Sequence, residues 1–332
     1  MKKALITGVA GFVGSYLSQY LLSQKIKVFG FYHPEHSTAN LNHLKAKINL
    51  IPCNILDKKR VGAEISEIKP DYLFHLAAFS SPSQSFKFPR QTFENNVFGQ
   101  LNLLEALVKI KSKAKILIIG SSDEYGNVAK KKLPVSEENP LLPLSPYAVS
   151  KVAQDMLGLQ FYLNYGLAIV RVRPFNHIGP RQSQAFVIPS FATQIVALEK
   201  QGGGVMKVGN LRSARDFTDV RDMARAYLLA LDKGKSGDVY NIGSGKVVQI
   251  GAVLKMMLSL AKADIKIKQD KNLVRPTEII YCDYTKFRRQ TGWRPTVPIE
   301  TTISDTIEYE KGRVSRESGV PRVPRAINQK SS

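Results

Sequence analysis

The segment that most constrains this chain is Thr7-Gly8-Val9-Ala10-Gly11-Phe12-Val13-Gly14. It follows a short apolar run, Lys3 to Thr7, and leads into Val13 to Gln24, where Leu17, Tyr20 and Leu21 recur at helical spacing. A strand, a glycine turn and a helix in that order form the opening of a dinucleotide-binding βαβ unit. Gly8 permits the tight turn, Gly11 lets a pyrophosphate approach the backbone, and Gly14 lets helix and strand pack closely. The leading N–H groups of the helix then face the phosphates. The first gap is one residue longer than in the GxGxxG form. A glycine turn with no ligand is the competing reading, and the strand–turn–helix context tells against it.

The rest of the first half repeats the alternation. Ile26 to Tyr32, Ile48 to Cys53, Tyr72 to Ala77 and Lys115 to Ser121 read as strands, and Asn96 to Ile110 reads as a helix. Near-continuous apolar strands separated by helices predict an α/β Rossmann fold, a doubly wound parallel sheet covered on both faces. From about Pro174 the pattern loosens into loops rich in Gly, Pro, Arg and Asn. The expected organisation is a dinucleotide-binding domain over residues 1–173 and a smaller C-terminal substrate region over 174–310, partly interleaved with the first. A basic, disordered tail is expected over 311–332, where apolar residues are scarce.

At 332 residues the chain is long enough to bury a core without disulfides or a structural metal. Its two cysteines, Cys53 and Cys282, build neither a disulfide framework nor a Cys/His metal cluster, and a reducing cytoplasm suits them. No stretch reaches the ~18 uninterrupted apolar residues of a membrane span. Net charge is the one extreme value, +21 from 48 basic and 27 acidic residues. Such an excess suits polyanions without choosing among them, and a solvated basic surface explains it as well. Nucleic acid is disfavoured, because no basic segment is interleaved with aromatics that could stack bases.

After the second strand an Asp or Glu would accept from the adenosine ribose and favour NAD. This chain has Phe31-Tyr32-His33 instead. NADP(H) is therefore the preferred cofactor, with His33 able to approach its 2′-phosphate and NAD(H) as the alternative. Further on, Ser145 and Pro146 open a helix as N-cap and first residue. Tyr147 and Lys151 lie four apart on one face of it. A phenol ordinarily titrates near ~10, and a neighbouring ammonium is expected to lower that value. Ser121, and Ser122 beside it, stand at the carboxyl end of the fifth strand, the edge that faces the ligand crevice in such sheets.

Together these residues resemble the extended short-chain dehydrogenase/reductase superfamily, the NAD-dependent epimerases, dehydratases and reductases of nucleotide sugars. The resemblance runs from Lys3 to about Tyr309. It implies a catalytic set of Ser121, Tyr147 and Lys151. For the cofactor it implies Gly8, Gly11, Phe12, Val13, Gly14, His33, Asn54, Ile55, Ala77, Ala78 and Asn96, with Tyr147 and Lys151. Asn54-Ile55 stands where the superfamily has Asp-Ile. In the second half, Arg173-Pro174-Phe175-Asn176-His177-Ile178-Gly179-Pro180, Arg215-Asp216-Phe217-Thr218-Asp219-Val220 and Arg275-Pro276-Thr277-Glu278 are most similar to the reductases of GDP-4-dehydro-6-deoxy-D-mannose. That similarity implies reduction of the C4 keto group to GDP-D-rhamnose and a GDP-linked keto-deoxy sugar held by Ser81, Ser122, Asp123, Asn176, Val187, Arg215, Arg275 and Glu278. Arg215 and Arg275 are candidate forks for the diphosphate. It also implies a homodimer and no metal. GDP-mannose 4,6-dehydratases are close relatives, and 4-epimerases are more distant ones. Phe12-Val13 departs from the Gln-Asp of the dehydratases, and Asp123 is a methylene shorter than their Glu. Arg181 departs from the Gly of the reductases. A non-catalytic binder on this fold is the remaining alternative.

Overall fold

The computed structural model describes residues 1–273 and 278–317. Seven strands form one parallel sheet: β1 (Lys3–Thr7), β2 (Lys27–Tyr32), β3 (Asn49–Pro52), β4 (Tyr72–His75), β5 (Lys115–Ile119), β6 (Ala168–Pro174) and β10 (Val239–Ile242). Their spatial order is β10-β6-β5-β4-β1-β2-β3. The chain runs outward from β1 to β3, then returns to the other side of β1 with β4. The reversal between β1 and β4 is the topological switch point at which doubly wound sheets open a ligand crevice.

The apolar runs are continuous because both faces of the sheet are covered. Ala4, Ile6, Phe74, Leu117 and Ile119 pack on one side with Leu17 and Leu21 of the Phe12–Ser23 helix and Met223, Tyr227 and Leu231 of the Val220–Lys233 helix. Their neighbours Leu5, Leu73, Ile116 and Ile118 point to the opposite face, onto Val61, Ile65, Leu103, Leu107 and Phe161. This period of two divides each strand between two cores. Trp293 closes the first core, with its indole N–H donating to the Asp222 carbonyl at 3.1 Å.

Four of the strands are shorter than the sequence suggested: β2 starts at Lys27 rather than Ile26, and β3 spans Asn49–Pro52 rather than 48–53. β4 ends at His75 and β5 at Ile119, so Ala77 and Ser121 have already left the sheet. The Asn96–Ile110 segment begins as a π-helical turn over Glu94–Phe98 and becomes α-helical only at Gly99–Lys109.

Two compact units emerge. The first comprises Met1–Ile178, Arg212–Gln249 and Thr277–Val297; the second comprises Gly179–Leu211, Ile250–Pro276 and Pro298–Ser332. Besides the large sheet, the first unit contains β7 (Asn176–Ile178), β9 (Ala214–Asp219), β11 (Val247–Gln249) and β13 (Ile279–Ile280), with β9 pairing all three others. In the second, β8 (Gly204–Val208) pairs in parallel with β12 (Ile265–Gln269). Its last helix, Ile299–Glu317, runs past Lys311, where the sequence suggested that a disordered tail begins. Buried Glu310 holds that end of the helix by bonding Thr193 Oγ1 and Arg313 Nε at 3.2 and 2.9 Å. Residues 318–332 lie outside the described part. Among the described residues, no helix is long and apolar enough to cross a membrane.

Candidate active site

The glycine turn after β1 is shaped for close approach. Gly8 has a φ of +69°, and a Cβ there would stand 2.9 Å from the Ala77 backbone. A Cβ on Gly14 would stand 2.5 Å from the Gly8 carbonyl oxygen, so both positions exclude side chains. Gly11 is the N-cap of the Phe12–Ser23 helix, and no side chain caps that end. Its leading N–H groups are the donors a pyrophosphate requires. Phe12 stacks on His177 with centroids 6.0 Å apart, and Val13 is half-buried.

On the other side of the switch point, the loop carrying Ala77 and Ala78 is tied to β1. The Ala77 N–H donates to Thr7 Oγ1 at 3.2 Å, and that hydroxyl pairs with His75 Nδ1 at 2.8 Å. His75 Nε2 meets Gln154 Nε2 at 3.1 Å. Burial, reinforced by the charge of Lys151, lowers the His75 value to about 3. An unfolded chain takes up that proton near pH ~6.5, whereas the folded protein refuses it until about 3. Stability is therefore lost as pH falls through that window, by up to about 1.4 kcal/mol per pH unit. Urea midpoints measured between pH 7 and 5 should fall more steeply for the wild type than for His75→Gln; equal slopes would contradict a buried neutral imidazole.

Asn96 is fully buried, and its amide contacts are to the protein. Oδ1 accepts from Phe79 N–H at 2.6 Å, and Nδ2 donates to Ser150 Oγ at 2.9 Å. It fastens the 77–79 loop to the Pro146–Tyr165 helix. At the β2 end, half-buried His33 accepts from the Glu35 N–H through Nδ1 at 3.3 Å and lies 4.9 Å from the His36 ring. Asn54 Oδ1 accepts from the Leu56 N–H at 3.0 Å. Buried Ile55 fills the space where Gly99 has no side chain.

The Tyr147 and Lys151 helix starts as the sequence suggested, with Ser145 Oγ accepting from the Ala148 N–H at 3.1 Å and proline at the first position. Both side chains are buried, and Lys151 Nζ lies 5.9 Å from the Tyr147 ring centroid. Lys151 Nζ donates to the Ile119 carbonyl at 2.8 Å, and Ser121 stands beside the Tyr147 phenol, close enough to favour its ionised form. One expectation is reversed. The Tyr147 phenol is held well above its ordinary value by burial and by the Asp123 charge, which outweigh the effect of Ser121. Burial brings Lys151 down to about 8, against the opposing charge of Glu124. The resting phenol is thus firmly protonated.

Ser121 is the N-cap of a short turn, Ser122–Tyr125, closed by a capping box. Its Oγ accepts from the Asp123 N–H at 3.1 Å, and its N–H donates to Glu124 Oε1 at 2.7 Å. Ser122 is buried beside it. Asp123 has its carboxyl raised by burial and by Glu278, with Arg215 opposing. Arg215 and Glu278 were expected as two separate ligand contacts, but they form an ion pair. Arg215 Nη2 meets the Glu278 carboxylate, and Nη1 donates to the Glu278 carbonyl at 2.8 Å. Asn176 is exposed at the start of β7, opposite Phe217 of β9. Ser81 caps the Pro82–Ser85 turn by accepting from the Gln84 N–H at 3.3 Å. Val187 begins the Val187–Lys200 helix of the second unit. Arg275 lies outside the described residues.

The description "GDP-mannose 4,6 dehydratase" belongs to the family model that matches residues 5–306. The chain belongs to this family. It is 33% identical over 320 residues to the GDP-6-deoxy-D-mannose reductase of Pseudomonas aeruginosa, covering 95% of this chain and 99% of that one. It is 26% identical to the GDP-mannose 4,6-dehydratase of Yersinia enterocolitica, over 92% and 93% of the two chains. Among solved structures, RMD from Pseudomonas aeruginosa complexed with NADPH superposes with a TM-score of 0.82 at 32% identity, covering 94% of this chain and all of that one. The UDP-glucose 4-epimerase of Thermotoga maritima gives 0.83 at 28% identity, over 94% and 99% of the two chains. Reductases, dehydratases and epimerases thus share this fold.

Sequence reading missed several residues that organise this site. Ser85 accepts from the Tyr147 N–H at 3.1 Å and fixes the start of its helix. Glu124, Asp155 and Arg173 form a buried ionic cluster behind the β5 end. The Ser-x-x-Glu spacing of Ser121 and Glu124 was the available signal for the capping box.

Proposed function

We propose that the chain is an NADP(H)-dependent reductase that converts GDP-4-dehydro-6-deoxy-D-mannose to GDP-D-rhamnose. The observation that carries this reading is the Tyr147 phenol, buried with Lys151 beside Ser121 at the carboxyl end of β5 and kept protonated by that burial. A carbonyl reduction requires a proton donor at rest, and a phenol raised by burial is one. The identity to the P. aeruginosa reductase supports the same choice.

The residues present fit a dinucleotide. The Gly8 and Gly14 backbone leaves no room for side chains, and the uncapped helix end at Gly11 offers N–H donors to the pyrophosphate. His33, in place of an acid after β2, leaves a 2′-phosphate unopposed. When bound, the reduced nicotinamide supplies a hydride to the C4 carbonyl carbon. Ser121 holds the carbonyl oxygen by hydrogen bonding. Tyr147 gives its proton to that oxygen as negative charge develops, so the carbonyl gains one hydride and one proton and becomes an alcohol. Lys151 stabilises the phenolate left on Tyr147 and holds the nicotinamide ribose. Asp123, Arg215 and Glu278 meet the sugar nucleotide, and binding opens the Arg215–Glu278 pair so that the guanidinium can turn to a phosphate.

The second reading, a 4,6-dehydratase, rests on the family model and on Asp123 next to the Tyr147 phenol. The two differ in their use of cofactor. A reductase consumes one NADPH per sugar nucleotide, whereas a dehydratase returns its hydride and consumes none. Loss of nicotinamide absorbance on addition of GDP-4-dehydro-6-deoxy-D-mannose supports the reductase. Conversion of GDP-mannose with no net oxidation moves the chain to the dehydratases.

A further inference from the structure

Glu124 has no part in the chemistry described above, yet it is fully buried at the heart of the site. The end of β5 is gripped at two neighbouring peptide groups. Lys151 Nζ donates to the Ile119 carbonyl at 2.8 Å, and Glu124 Oε1 accepts from the Ser121 N–H at 2.7 Å. In extended chain, the carbonyl of one residue and the N–H two residues on point to the same side, and the groups of the residue between them point to the other. Gly120 follows this rule, since its N–H donates to Val172 of the adjacent strand at 2.7 Å. The ammonium and the carboxylate therefore approach the strand end from one side, a single step apart. A Cβ on Gly120 would lie 2.2 Å from Glu124 Oε1, so the glycine makes room for the carboxylate.

The other Glu124 oxygen, Oε2, lies 3.1 Å from Arg173 Nε on β6. Arg173 is in turn held by Asp155, from the Lys151 helix, at 2.5 Å, and donates to the Tyr125 hydroxyl at 3.0 Å. Arg171 of β6 pairs with Asp155 at 2.7 Å. His75 on β4 is neutral. Asp123 and Tyr125 on the same turn, with Tyr147 on the helix, complete the titratable groups around Glu124 and Lys151. Two guanidinium groups and one ammonium thus face the buried carboxyls of Glu124 and Asp155; burial and the Asp155 charge push the Glu124 carboxyl up to about 8, with Arg173 opposing, so it ionises in the same range as Lys151.

We propose that Glu124 is a positioning residue: it fixes Ser121 as a hydrogen-bond donor at the β5 end and, as its own carboxyl ionises, favours the protonated form of the Lys151 amine. This rests on the roles given above to Ser121, Tyr147 and Lys151. Because Ser121 Oγ accepts from the Asp123 N–H at 3.1 Å, its own proton is directed to the Tyr147 oxygen or to a substrate oxygen. The capping box built by Glu124 sets that direction. A buried ammonium tends to lose its proton, and a carboxylate one peptide away opposes the loss.

Glu124→Gln retains an oxygen for the Ser121 N–H but removes the charge. Side-chain NMR of the full chain, with the Lys151 signal assigned by its loss in Lys151→Met, follows the amine directly and needs no substrate. The Lys151 midpoint should fall by about one pH unit or more in Glu124→Gln. The alkaline limb of kcat should move with it, while KM for the sugar nucleotide stays within about twofold. A folded Gln variant with an unmoved Lys151 midpoint overturns the proposal. Glu124→Asp keeps the charge but falls a methylene short of Ser121, and it carries the test if the Gln variant does not fold. Its Lys151 midpoint should stay near that of the wild type while kcat falls at least tenfold; a displaced midpoint or an undiminished kcat overturns the proposal. Failure of the underlying catalytic reading is separately visible, as turnover that survives Tyr147→Phe.

Discussion

Tyr147→Phe should lower turnover by about 10²–10⁴-fold, the usual contribution of a positioned general acid. The change deletes one oxygen from a buried side chain and leaves the helix cap at Ser145 and the Ser85 bond to the Tyr147 N–H untouched. Dinucleotide affinity, read by nicotinamide fluorescence, should stay within a fewfold of the wild type. The loss should therefore fall on kcat rather than on KM. Rates near those of the wild type would remove Tyr147 from the chemistry and leave the buried phenol as packing.

The largest stability effect is expected at Asp155. Its two oxygens face Arg171 Nη1 at 2.7 Å and Arg173 Nη2 at 2.5 Å, and all three side chains are buried. Asp155→Ala strands two guanidinium groups, leaving only Glu124 to face Arg173. Removing one partner of a buried ion pair costs about 3–5 kcal/mol, most of it the uncompensated charge that remains. Chemical denaturation should report a loss of that size, with Asp155→Asn less damaged because it still accepts from the guanidinium groups. A loss below ~1 kcal/mol for Asp155→Ala would mean that the cluster is hydrated or already neutral.

The sheet was readable from the sequence because its signal is local. Leu5 between Ala4 and Ile6, or Ile118 between Leu117 and Ile119, is an apolar residue whichever face it covers, and such runs mark a strand buried on both sides. The glycine loop and the Ser145-Pro146 start of the Pro146–Tyr165 helix were legible for the same reason, since each is a short segment whose backbone dictates its residues. Strand ends were overrun at Ala77 and Ser121, because apolar or small residues continue after the ladder stops. The bonds of the Asn96 amide to Phe79 and Ser150 were not legible, since only the fold brings those residues together. The Arg215–Glu278 pair joins residues 63 apart, and no local pattern announces it. Glu124 was the least legible. An acid in a polar turn ordinarily reads as surface, and its burial depends on Arg173 arriving from another strand. The lowering expected for Tyr147 was wrong for a related reason: spacing along a helix reveals Lys151 but neither the burial nor Asp123.

The account turns on where the hydride goes. NADPH carrying deuterium at its transferable position should be supplied with GDP-4-dehydro-6-deoxy-D-mannose, and the product sugar examined by NMR. A reductase built on Ser121, Tyr147 and Lys151 should place deuterium at C4 of the sugar, one label per nicotinamide oxidised, and Tyr147→Phe should abolish the transfer. An unlabelled sugar with no nicotinamide oxidised, from a preparation that converts GDP-mannose to the 4-keto compound, would contradict the reductase assignment.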